Sequence, residues 1–126
     1  MKIVYVAGKF RGKTAWEVAE NVRAAERVGF EVAKLGAMPL IPHANTSNFD
    51  GTLTAEFWLS GTLALMLRCD AVMMVPGWPE SQGARLERDT AKTVGLPVFD
   101  AGDYQALADW LAAVAAPVVE AEERGT

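Results

Sequence analysis

Residues 2–7, KIVYVA, hold one lysine and then an unbroken hydrophobic run. A strand with one face in water alternates apolar and polar residues. A run without alternation has to be covered on both faces, as in a parallel sheet. Such a sheet needs helical crossovers, and the residues that follow supply them. Thr14-Ala15-Trp16-Glu17 is a capping box, with Thr14 placed to accept the Glu17 amide. Val18, Val22, Ala25, Val28, Val32 and Leu35 then recur at helical spacing up to Gly36, which predicts a helix over about 14–35.

The alternation continues. Residues 37–41 predict a short second strand, and Pro39 places it at or near a sheet edge. Residues 42–52, PHANTSNFDGT, read as a polar loop of turn formers. Residues 53–68 predict a helix, 70–75 (DAVMMV) a third strand and 76–79 a turn. Ser81 caps a helix running to Val94. Residues 96–99 predict a fourth strand and 103–115 a last helix, with 117–126 a frayed acidic tail. The expected fold class is α/β: one domain over 1–116, with a parallel sheet of four to five strands and helices on both faces.

Composition narrows the function. The net charge of −4 and pI near 5.0 argue against a nucleic-acid polymer as partner, because backbone binding needs a basic face. Cys69 is the one cysteine, so no intramolecular disulfide can form. No apolar run approaches the ~20 residues of a membrane span, and the N-terminus lacks a signal pattern. A cytoplasmic protein without a membrane partner is expected. His43 is the one histidine, and no metal-ligand spacing accompanies it. No metal or organic cofactor is expected.

Two stretches carry chemistry. The first, AGKFRGKT at 7–14, comes close to a P-loop, with Ala7 where the first glycine belongs. A Cβ there obstructs the wrap of amides around a triphosphate, and the third strand does not end in the aspartate that would hold magnesium. Gly12, Lys13 and Thr14 are simpler to read as a turn and a helix cap. Arg11, in a loop beside a helix N-terminus, is placed to meet one phosphate. The second stretch is ESQGARLE at 80–87. On a helix opened by Ser81, the residues Gly83, Ala84, Glu87, Ala91 and Val94 share one face. Glu87 therefore points inward among small neighbours. It either pairs within the structure or faces a ligand, as a carboxylate able to attack an anomeric carbon. Tyr5, near the end of the first strand, is either its assistant or a core tyrosine. Trp78 either stacks on a base or closes the core.

The patterns VYVAGKFRG, CDAVMMVPGWPESQGARLE and AKxxGLPV, over about residues 2–99, resemble the nucleoside 2-deoxyribosyltransferase-like superfamily, in its small PGWxxSxGAxxE branch. They are also similar to the 2′-deoxynucleoside 5′-monophosphate N-glycosidases. The resemblance implies a flavodoxin-like fold, a homodimer or larger oligomer, and cleavage of an N-glycosidic bond in a small-molecule nucleoside or nucleotide. By position it implies Glu87 as nucleophile and Tyr5 beside the reacting sugar. Gly8, Arg11, Ser81 and Gly83 would hold the 5′ end, and His43 would border the base. One departure stands out. The superfamily often carries an aspartate eight residues before Asp70, and here that position is Thr62. A hydroxyl supplies no carboxyl proton, so another acid such as Asp50 takes the role, or the chain is a non-catalytic nucleotide-binding module. A P-loop phosphotransferase is the third reading.

Overall fold

A computed structural model describes residues 1–49 and 51–125, without the side chains of residues 47 and 116–125. Four strands alternate with helices along the chain: β1 (Ile3–Ala7), α1 (Ala15–Lys34), β2 (Met38–Leu40), α2 (Pro42–Thr46), α3 (Ala55–Met66), β3 (Ala71–Met74), α4 (Gln82–Thr93), β4 (Val98–Phe99) and α5 (Tyr104–Gly125). Single 3₁₀ turns cover Ser47–Phe49 and Trp78–Glu80. The strands form one sheet in the order β2-β1-β3-β4, and every pairing is parallel. This α/β architecture is flavodoxin-like, as expected.

The unbroken run in β1 is accounted for by two cores. Val4 and Val6 point to a face covered by Ala25, Val28 and Val32 of α1 and Leu107 of α5. Tyr5 and Ala7 point to the other face, against Met66 of α3 and Ala91 of α4. Val4, Tyr5, Val6 and Ala7 are all fully buried, so successive side chains enter opposite apolar layers. Pro39 lies in β2, which pairs only with β1. Its missing N–H therefore costs no inner ladder bond. Asp70, at the junction into β3, accepts the Ile3 amide at 2.8 Å and fixes the start of β1.

Helix ends follow the expected chemistry. Thr14 accepts the Glu17 amide at 3.1 Å, and the Glu17 carboxylate takes the Lys13 amide at 2.6 Å. Gly36 follows α1 at φ +97°, a conformation costly for any residue with a Cβ.

Three boundaries differ from expectation. The 42–52 segment opens with a helical turn, because Pro42 suits a first helical position and the Ala44 and Asn45 amides bond to the Ile41 carbonyl. α5 continues through the acidic segment to Gly125 rather than stopping near 115. Val94 caps the end of α4 and is 55% exposed, so it leaves the inward stripe that Ala84, Glu87 and Ala91 form. No helix among the described residues is long and apolar enough to cross a membrane.

Candidate functional site

The chain leaves β1 for β2 on one side and returns to β3 on the other. Open α/β sheets bind ligands at such a switch point, beyond the carboxyl ends of the strands. A cleft of about 560 Å³ lies there. Its walls are the loop after β1, α2, α3 and the start of α4.

Glu87 and Tyr5 meet in this cleft. The Tyr5 hydroxyl donates to Glu87 Oε2 across 82 positions of sequence. Tyr5 is fully buried and Glu87 is 6% exposed. Burial disfavours the charged carboxylate and pushes its pKa up to about 7, while the Tyr5 hydrogen bond pulls partly the other way. Burial first, and then the Glu87 charge, hold the Tyr5 hydroxyl far above its ordinary pKa, so it stays a donor. Thr62 also lines the cleft, its hydroxyl acting on that of Tyr5 and donating to the Leu59 carbonyl at 3.0 Å.

The other expected residues divide. Gly8, Arg11, His43, Ser81 and Gly83 all line the cleft. Gly8 has a packing reason of its own: a Cβ would fall 2.6 Å from Val75 Cβ, so the backbone itself needs the space beside β3. Ser81 caps α4 by accepting the Ala84 amide at 3.1 Å. Arg11 sits in a loop held by Asn21, whose side-chain amide donates to the Phe10 and Arg11 carbonyls at 3.0 and 3.1 Å. His43 Nε2 lies 3.0 Å from both the Gly8 and Lys9 carbonyls, which fixes the ring against the same loop.

Trp78 is not in the cleft. It packs against the Tyr5 core face, and the Arg88 guanidinium lies 4.7 Å from its ring centre while also pairing with Asp100 at 3.2 Å. The turn before α4 folds the half-buried indole against that apolar surface, the arrangement the core-closing reading expects. Asp50 lies outside the described residues. Lys13 and Thr14 are not among the cleft's residues, and Thr14 is committed to its cap.

Several lining residues were not anticipated. Trp58 of α3 faces the cleft, stacked on Phe49 (5.7 Å between centres) and edge-on to Phe57. Lys9 and Glu80 pair at 3.0 Å across the mouth, joining the loop after β1 to the turn before α4. Glu56 adds a third carboxylate to the lining. In sequence these residues look like ordinary helix and loop positions, and only chain crossing brings them together.

A family model described as "Domain of unknown function (DUF4406)" matches residues 2–100. No curated protein matches the chain. The matched region runs from β1 through β4 and includes every residue named in the cleft. The chain belongs to the DUF4406 family.

Proposed function

We propose that this protein cleaves or transfers the N-glycosidic bond of a (deoxy)nucleoside or its 5′-monophosphate, with Glu87 as nucleophile. The observation that carries the reading is the buried Glu87 carboxylate in a cleft at the sheet's switch point, oriented by the Tyr5 hydroxyl. In this mechanism a Glu87 oxygen attacks C1′ and forms an ester. The C1′–N bond breaks, and its electron pair leaves with the base, which takes up a proton. Water, or the nitrogen of a second base, then attacks C1′ and returns Glu87 as carboxylate. Arg11 and the α4 N-terminus supply positive potential for a 5′-phosphate. The sequence resemblance to the nucleoside 2-deoxyribosyltransferase-like superfamily supports the same assignment.

The reading also carries a homo-oligomer. Phe49, Phe57 and Leu86, at or beside the cleft, are 50%, 53% and 43% exposed, apolar surface of the kind that partners cover.

A second reading has its own support. Thr62 stands where the superfamily often carries an acid, which favours a module that binds nucleotides without cleaving them. Base release separates the two. Wild type is expected to free the base from at least one member of a nucleoside and 5′-monophosphate panel, and Glu87→Ala to lose that activity at least a thousandfold, the scale of losing a covalent nucleophile. Tight nucleotide binding with no base released selects the binding module. An active Glu87→Ala removes the mechanism.

A further inference from the structure

The cleft wall contains two buried polar atoms without a hydrogen-bond partner among the described residues: Nε1 of Trp58 and Nδ1 of His43. Both side chains line the cleft. Their chemistry is opposite. An indole N–H only donates. His43 Nε2 faces two carbonyls at 3.0 Å, and carbonyls only accept, so Nε2 carries the proton. Burial lowers the ring's pKa and keeps it neutral. Nδ1 is left as a bare acceptor.

Neither ring is loose. Trp58 is stacked on Phe49 with 15° between planes and meets Phe57 edge-on at 5.0 Å. His43 is held by the two carbonyls and by Phe10, edge-on at 5.5 Å. Buried polar atoms without partners are uncommon in native proteins, and each calls for a cause. Here one donor and one acceptor lie buried in the walls of the same cleft, on side chains that line it.

We propose that Trp58 and His43 read the heterocycle of the substrate, Trp58 Nε1–H donating to a ring or carbonyl acceptor and His43 Nδ1 accepting from an N–H or amino group. The inference rests on the nucleoside reading above and adds to it Trp58 and a direction for each hydrogen bond, a donor on Trp58 and an acceptor on His43. The substrate class is a base bearing both an acceptor and an N–H donor. Solvent reaches neither atom, so the base meets them as the side chains covering them yield. Trp58, rather than Trp78, is then the tryptophan that touches ligand.

A C-nucleoside tests this, because its C–C glycosidic bond leaves it intact on the enzyme. Formycin A and its 5′-monophosphate, which carry ring-nitrogen acceptors and an amino donor, are titrated into ¹⁵N-labelled wild-type protein. The Trp58 indole signal is identified by its absence in Trp58→Phe. On binding, the Trp58 N–H proton is expected to move downfield and the His43 Nδ1 nitrogen upfield. Trp58→Phe is expected to weaken binding roughly five- to tenfold, the worth of one hydrogen bond. If the ligand binds and perturbs Tyr5 while both Trp58 and His43 signals stay in place, the inference is overturned and the nucleoside reading survives. If neither compound binds while the base-release panel finds an active nucleoside, the inference is overturned and the nucleoside reading stands; if the panel is inert as well, both fall.

Discussion

Glu87 shows how one side chain sets a conflict between stability and chemistry. Its carboxyl titrates near 4.5 in an unfolded chain and near 7 in the fold. The folded state therefore holds its proton more tightly. Stability from this group is complete below pH 4.5, is lost as pH rises through 7, and is flat beyond. The loss is on the order of 3 kcal/mol across that window. Glu87→Gln carries no charge to desolvate and can still accept from Tyr5. Urea unfolding of both proteins is expected to show the variant gaining stability over wild type between pH 5 and pH 8. A gap that does not change with pH would contradict the burial argument. His43, whose ring is held neutral, titrates in both proteins and cancels in the comparison. Activity should run the other way, since attack needs the ionised carboxylate: kcat/KM is expected to rise with pH to a plateau, with a midpoint near 7. The inward position of Glu87 was legible from its 3- and 4-residue neighbours. Tyr5 could be read either as its assistant or as a core tyrosine, and only the fold, by bringing together residues 82 positions apart, decided that the two touch.

At the scale of elements, α4 contributes both a wall and an N-terminus to the cleft, and two substitutions separate these roles. A Cβ on Gly83 would meet Leu59 Cδ1 at 3.8 Å and Ser81 Oγ at 3.9 Å, ordinary contact distances. Gly83→Ala is therefore expected to leave thermal stability unchanged or slightly raised, as the helix propensities of Ala and Gly imply, while its methyl group takes cleft volume and weakens ligand binding. Ser81→Ala removes the cap and is expected to cost about 1 kcal/mol of stability. Equal loss of stability in the two variants would show that Gly83 is there for packing. The element boundaries themselves were mostly readable. Caps, C-terminal glycines and apolar spacing located α1, α3 and α4 within a residue or two. The turn of helix at Pro42–Thr46 was not, because five polar and small residues carry too little periodicity to distinguish helix from loop.

For the whole molecule, the unpartnered apolar side chains beside the cleft set a test of assembly. A monomer has a mass of 13.6 kDa. Sedimentation equilibrium is expected to give at least twice that, and Phe57→Glu to return the monomer mass while leaving the far-UV spectrum unchanged. A wild-type monomer at high micromolar concentration would remove the oligomer from the proposal. The sequence by itself determined the parallel, doubly covered sheet, because an apolar strand without alternation needs cover on both faces and the helices that alternate with the strands supply it. It also determined the ends of α1, α3 and α4, the edge position of β2 and the inward aim of Glu87, since each follows from spacing within a few residues. Only the tertiary structure decided which residues share the cleft. It joined Tyr5 to Glu87, brought in Trp58, Glu56 and the Lys9–Glu80 pair, and packed the half-buried Trp78 against the core. Those contacts depend on strand order and on which face each helix covers. Both are settled by packing among distant segments, which local periodicity does not encode.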